Sequence, residues 1–242
     1  MSDMAWVWTP DDGPRRLREA LARDGFTVCR AGDDAPARAT HAPWNFVRTL
    51  LGGEARMVER QPIRAVPGGR SFASTDVFTP LHTDSQLHLG APPDAQVMVC
   101  AQAAAQGGET TLLDAWALAR RIERDDPALF HALLHAPRRI PFVFGDVYGP
   151  TLALRGGALA FTHSPMTPGD DPVARILAAR LDATPPMELR VRAGDVLVVD
   201  NRRMLHGRKA FHDARREFVR LLAWLDAPLG ADAGLLGRAT EA

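Results

Sequence analysis

Hydrophobic residues along this chain follow two different periods, and the switches between them outline the elements. Pro14–Asp24 (PRRLREALARD) places Leu17 and Leu21 four apart and runs into Gly25, which predicts a helix with a glycine stop. Pro43–Leu51, closed by Gly52-Gly53, predicts a second helix. Asp114–Arg124 predicts a third, with Asp114 as N-cap accepting the orphan N–H groups of the first turn. Pro127–Leu134 opens on proline, where the missing N–H is not needed, and Val173–Leu181 is a further helix. Strand-like runs cover Phe26–Cys29, Arg56–Arg60 and Ile63–Val66 (parted by Pro62), Ala95–Ala101, Arg139–Phe144, Thr151–Leu154, Ala158–His163, Glu188–Val191, Val196–Asp200 and Phe218–Leu225. Ser71–Leu81 reads as irregular, and Ala227–Ala242, made mostly of small residues, as a frayed tail. Many short strands with a few helices predict a mainly β fold: a sandwich or barrel with helices packed outside, of which the double-sheet jelly roll is one form. There is no internal repeat or low-complexity linker, so residues 1–242 are expected to form a single domain.

Composition narrows the function classes. At 242 residues and 46% hydrophobic content the chain can bury a full core. Twenty-nine acidic against 29 basic residues give no net charge, so neither a nucleic acid nor a membrane surface is implied as partner. Lys209 is the sole lysine; a P-loop is absent, and Schiff-base chemistry would depend on that one residue. Cys29 and Cys100 are far apart and build no disulfide framework. The first residues carry no basic segment followed by a long apolar one, and no run approaches the ~20 apolar residues of a membrane span. The expectation is a soluble protein of a reducing cytoplasm.

Candidate chemistry enters with His82-Thr83-Asp84. On a strand, residues two apart share a face, so His82 and Asp84 can present ligands to one metal while Thr83 points away. Gly194–Arg208 (GDVLVVDNRRMLHGR) supplies a second histidine, His206. Two histidines and one carboxylate are the facial set that holds non-haem Fe(II) and leaves positions open. Between and beyond them stand Pro92-Pro93, Gly107-Gly108-Glu109-Thr110, Arg216 and Arg220.

In this order the motifs H-T-D, P-P, G-G-E-T, G-D-V-L-V-V-D-N, L-H-G-R and R-x-x-x-R resemble those of the taurine dioxygenase superfamily of Fe(II)/2-oxoglutarate oxygenases, which includes clavaminate synthase and γ-butyrobetaine hydroxylase. The resemblance covers roughly residues 80–226. It implies a double-stranded β-helix core, Fe(II) held by His82, Asp84 and His206, and 2-oxoglutarate and O2 as cosubstrates. Arg216 would pair with the distal carboxylate of 2-oxoglutarate, Thr110 would give it a hydroxyl, and Arg220 would stand beside the cosubstrate or an anionic substrate group. Arg215, one residue off, would point to the opposite face. The implied reaction oxidises an sp3 C–H of a small molecule, with an amino acid or a derivative of one as the expected substrate. Related halogenases replace the carboxylate ligand with a small residue; Asp84 is present, which disfavours halogenation.

Other residues have competing readings. His88 is pocket-lining or structural; His163 either faces the pocket or makes a loop hydrogen bond; His41, His131, His135 and His212 read as ordinary. Arg64, Arg70 and Gln86 could touch substrate, though exposure is the usual state of arginine. Asp200-Asn201 reads as structural, bonding the loop that carries His206. Trp116 and Trp224 are expected in the core, and Pro67–Thr79 is placed to act as a lid. Two alternatives of other classes stand beside the oxygenase: a non-catalytic jelly-roll binding protein that kept the metal site, and a zinc hydrolase on the same triad. Intact Asp84, Arg216 and Thr110 argue against the first, and the two-arginine cosubstrate end has no use in the second.

Overall fold

The structure is a computed structural model that describes residues 5–84, 91–143, 145–166 and 169–241. Its strands are β1 (Trp6–Val7), β2 (Phe26–Arg30), β3 (Ala55–Ile63), β4 (Thr79–His82), β5 (Ala95–Gln102), β6 (Thr110–Asp114), β7 (Arg138–Phe142), β8 (Gly145–Gly149), β9 (Leu152–Arg155), β10 (Ala158–Phe161), β11 (Met187–Leu189), β12 (Asp195–Asp200), β13 (Met204–Arg208) and β14 (Glu217–Leu225). Its helices are α1 (Gly13–Asp24), α2 (Ala35–His41), α3 (Pro43–Leu51), α4 (Ala115–Asp125), α5 (Pro127–His135), α6 (Pro172–Asp182) and α7 (Ala233–Thr240). No helix among the described residues is long and apolar enough to cross a membrane.

Two sheets carry the architecture: one ordered β1-β2-β12-β5-β14-β3, the other β11-β6-β13-β4. The period of two decides what each strand shows to each side. On β12, Val196 and Val198 join the cluster under α1, α2 and α3, while Leu197 and Val199 join a second cluster with Leu112, Leu189 and Met204 of the smaller sheet. The sheets therefore face each other across that second cluster. Burying side chains of this size contributes about 1.5–3 kcal/mol each. A third cluster packs α4 to α7 and the β9–β10 hairpin against the outer side of the smaller sheet, through Leu113 and Leu205. The same alternation places His206 and Arg208 with Met204, Thr110 with Leu112, and Gln96, Met98 and Arg220 with Phe218, all toward the space between the sheets.

Several elements differ from the sequence expectation. β3 is continuous through Pro62, because it is the edge of the larger sheet and an edge strand tolerates a missing N–H. The 227–242 tail is not frayed throughout: Asp232 caps α7 through the Leu235 N–H at 3.2 Å, and Leu235 is fully buried in the third cluster. β8, which pairs with β7, and α2, β6 and β13 have no counterpart in the sequence expectation, and β4 takes up the end of the Ser71–Leu81 stretch read as irregular. Phe144, at the end of one expected strand, lies outside the described residues. Asp114 caps α4 as expected, accepting from the N–H groups of Trp116 and Ala117. Trp116 is core, whereas Trp224 is half-buried, with Nε1–H donating to the Ala91 carbonyl at 3.2 Å. Both cysteines are free and buried.

Candidate metal centre and its cavity

β4 and β13 are antiparallel neighbours, and their register sets His82 opposite His206. The two rings lie 4.4 Å apart. β4 ends at His82, so Asp84 stands just past the strand and not on its pleat, yet its carboxylate still turns back to the pair. One ligand atom from each of His82, Asp84 and His206 lies within 4.8 Å of the others. His82 Nε2 is 3.5 Å from Asp84 Oδ1, and His206 Nε2 is 3.4 Å from Asp84 Oδ2. His82 Nδ1 donates to the Pro80 carbonyl at 2.8 Å, which leaves the Nε2 lone pair for a metal. Burial, then the neighbouring His82, push the His206 imidazole below its ordinary pKa, toward the neutral ligand form. Burial by itself would raise the Asp84 carboxyl; Arg220 and the two histidines outweigh it and hold Asp84 well below the carboxylate range.

Asn201 braces the turn after β4. Its side-chain oxygen accepts from the Asp84 N–H at 2.9 Å, and its amide donates to the carbonyls of Asp84 and Pro93, both at 3.1 Å. Asn201 is thus structural as expected, but the loop it holds carries Asp84 rather than His206. Gly207 follows His206 because a Cβ there would come within 2.6 Å of the Thr79 carbonyl oxygen and 2.8 Å of Thr111 Oγ1. Strand β13 runs between β4 and β6 with no room for a side chain at that point.

His82, His206, Thr110, Arg216 and Arg220 line one cavity, together with Gln96, Met98, Phe72 and Arg208. Asp84 lies behind the lining, bonded to Arg220. The two arginines differ sharply in their surroundings. Arg216 is 2% exposed, its guanidinium lies 5.0 Å from the Phe211 ring and 4.1 Å from the Phe218 ring, and its Nη1 has no hydrogen-bond partner. Burial, then Arg208, lower its pKa to about 10. Gly108 makes room for it: a Cβ would lie 3.0 Å from Arg216 Nε, and φ is +73°. Thr79 Oγ1 and Arg208 Nε, in the same lining, are also buried without partners. Arg215 is exposed and pairs with Asp213 at 3.0 Å, outside the cavity. Arg220, by contrast, donates to Asp84 Oδ2 at 2.8 Å and to Glu59 Oε1 and Gln61 Oε1 at 2.7 Å each.

The segment ahead of β4 is tied down rather than loose. The Arg208 guanidinium donates to the carbonyls of Phe72 at 3.1 Å, Thr75 at 2.9 Å and Val77 at 2.7 Å. His163 sits against Thr83, its backbone carbonyl accepting from Thr83 N–H, and lies outside the lining of the metal cavity; burial, then Arg138 and His82, lower its pKa to about 3. Arg64 and Arg70 are exposed. Gln86 and His88 lie outside the described residues. Gln96 was not anticipated; its one signal was a polar side chain inside the apolar run AQVMVCA.

The fold has many solved likenesses. Asparagine oxygenase, solved with Fe(II), 3-hydroxyasparagine and succinate, superposes with a TM-score of 0.65 at 19% identity, covering 88% of this chain and 77% of that one. The non-haem iron oxygenase OrfP, solved with Fe and α-ketoglutaric acid, gives 0.61 at 18%, covering 90% and 81%. PvcB of Pseudomonas aeruginosa gives 0.62 at 18%, covering 90% and 82%. Among curated sequences, dioxygenase str8 of Strobilurus tenacellus is 27% identical over 233 residues, 87% of this chain. The chain spans about half (54%) of that protein's length. The family described as taurine catabolism dioxygenase TauD, TfdA family matches residues 5–185 and 186–222, and with nearly the whole chain so matched, this protein belongs to that family.

Proposed function

We propose that this protein is an Fe(II)/2-oxoglutarate-dependent oxygenase that hydroxylates or otherwise oxidises an sp3 C–H of a small molecule, in the class of amino acids and their derivatives. The observation that carries the reading is Arg216: a buried guanidinium with an unpartnered Nη1, in the same cavity as a two-histidine, one-carboxylate cluster. A buried cation without a counter-ion is costly, and a carboxylate placed there supplies the missing acceptor. The donor set fits the metal, with one free Nε2 on His82 and a carboxylate held ionised.

In this reading His82, Asp84 and His206 hold Fe(II) on one face. Arg216 takes the distal carboxylate of 2-oxoglutarate in a two-pronged hydrogen bond, which its planar fork favours over a point charge. Thr110 and Thr79 offer hydroxyls beside it. Phe211 and Phe218 keep water from that end, which strengthens each charge-assisted bond. When bound, metal, 2-oxoglutarate and O2 supply the oxidising power, with CO2 and succinate released. The chain's own part is orientation and exclusion of water. The two facing sheets are read as a double-stranded β-helix, and they and their helices as one oxygenase domain. The amino-acid class is supported by the hydroxylated asparagine and arginine held by asparagine oxygenase and OrfP.

The test is aerobic incubation with Fe(II), 2-oxoglutarate and a panel of free amino acids and amino-acid amides, following succinate and product mass. Succinate formation stimulated by one member, with that member gaining an oxygen or losing two hydrogens, supports the reading. Stoichiometric metal binding without any 2-oxoglutarate consumption, across the panel and in its absence, contradicts it and favours a ligand-binding role.

A further inference from the structure

Gln96 stands in the middle of the larger sheet, on β5 between β12 and β14, and is 3% exposed. Apart from the exposed Gln102 at its end, the rest of the strand is apolar toward both sides, and a buried amide needs a reason. Its Nε2 lies 2.6 Å from Asp84 Oδ2 and 2.9 Å from His206 Nε2. The amide orientation follows from the chemistry: reversed, Gln96 Oε1 would face an ionised carboxylate oxygen at 2.6 Å with no proton between them. Arg220 Nη1 reaches the same oxygen, Oδ2, at 2.8 Å. Arg220 is itself held, because its Nη2 is shared between Glu59 Oε1 and Gln61 Oε1 on β3. Two N–H donors, one from each neighbouring strand β5 and β14, thus converge on one oxygen of the acidic residue in the metal cluster.

Resting on the reading of Asp84 as a metal ligand, we propose that Gln96 and Arg220 are positioning residues that restrict Asp84 to one-oxygen ligation. A carboxylate oxygen has two in-plane lone pairs, and Oδ2 directs both to fixed N–H groups. Rotation of the carboxylate toward two-oxygen ligation would break a neutral and a charge-assisted hydrogen bond in a buried site. Asp84 therefore occupies a single position on the metal and leaves the remaining ones for small ligands. Gln96 adds a second function before the metal arrives: its N–H group also points at His206 Nε2, so the empty cluster is kept close to its ligating geometry. The same contacts commit both terminal nitrogens of Arg220 to Asp84, Glu59 and Gln61 and leave only its buried Nε without a partner.

The test is anaerobic titration with Co(II), a probe whose visible d–d absorption reports coordination number. Wild type, Gln96→Leu, Gln96→Met and Arg220→Gln are compared, with circular dichroism and thermal melts confirming the fold; the methionine variant covers the case in which branched leucine is not accommodated. The expected result is a rise of roughly 10–100-fold in the Co(II) dissociation constant, the range typical of losing an outer partner of a ligand, with a changed d–d spectrum. An unchanged constant and spectrum in folded Gln96 and Arg220 variants, beside a wild type that binds one Co(II), overturns the positioning role alone. A wild type that binds no Co(II) overturns the metal reading on which it rests.

Discussion

His82 and His206 are direct cross-strand partners on β4 and β13, so the sheet itself, and not a loop, sets the distance between the two imidazoles. A site built on a ladder is rigid, and removing one member should leave the other in place. His206→Ala should keep the fold and lose stoichiometric Fe(II) or Co(II) binding, read by anaerobic calorimetry. Retained one-to-one binding in a folded His206→Ala protein would remove His206 from the ligand set.

Arg216 supports an unusual expectation about the empty protein. Its guanidinium is buried between two phenylalanine rings with an unsatisfied Nη1. Replacing a poorly compensated buried ion by an apolar side chain of similar size often stabilises by ~1–4 kcal/mol. Arg216→Met should therefore raise the melting temperature of the cosubstrate-free protein while weakening 2-oxoglutarate binding by roughly a hundredfold or more, since losing one partner of a buried pair costs ~3–5 kcal/mol. Arg215→Ala, at an exposed site, should change neither. A destabilised Arg216→Met protein that still binds 2-oxoglutarate would contradict the assignment.

Asp200 gives the pH dependence. Burial raises its carboxyl to about 7 in the folded chain. A folded value above the unfolded one means that the folded state binds the extra proton. This contribution to stability is fully present below the unfolded value near pH 4 and is lost as pH rises through about 7. Asp200→Asn keeps the acceptor for the Arg202 N–H and cannot ionise. The variant should lose this slope, gaining stability relative to wild type between pH 5 and 8 by an amount on the order of a few kcal/mol. Parallel urea midpoints for the two proteins across that range would rule the mechanism out.

Arg208 bonds three carbonyls of the Phe72–Val77 stretch, which contributes Phe72 and Ala73 to the cavity. A lysine cannot span three acceptors with one planar fork. Arg208→Lys should speed amide exchange in residues 70–78, measured by hydrogen exchange, with little change in β12 or β14. Unaltered exchange there would show that the segment is held by other contacts.

The candidate cluster of His82, Asp84 and His206 is legible in the sequence because each half sits in a motif: H-T-D ahead of Pro92-Pro93, and L-H-G-R after an apolar strand. Spacing from the distal histidine favours Arg216 over Arg215, and the structure buries Arg216 while exposing Arg215. What stayed hidden depended on register. Arg220 meets Glu59 and Gln61 only because β3 continues through Pro62 as an edge strand beside β14. Read as two runs broken by proline, β3 offered no such partners. Gln96 was in plain view as a polar residue in an apolar run, but only the packing of the two sheets shows that its face is the one turned to Asp84. The α7 helix was obscured by small residues, whose weak pattern leaves Leu235 as the one buried anchor.

The most direct test of the central claim is anaerobic addition of Fe(II) and then 2-oxoglutarate, watched by visible absorption. A protein in which His82, Asp84 and His206 hold the metal and Arg216 holds the cosubstrate should develop a charge-transfer band only when both are present. The band should be absent in His206→Ala and should require far more 2-oxoglutarate in Arg216→Met. Binding of one Fe(II) with no band at any 2-oxoglutarate concentration, or an equal band in the His206→Ala protein, would contradict the account.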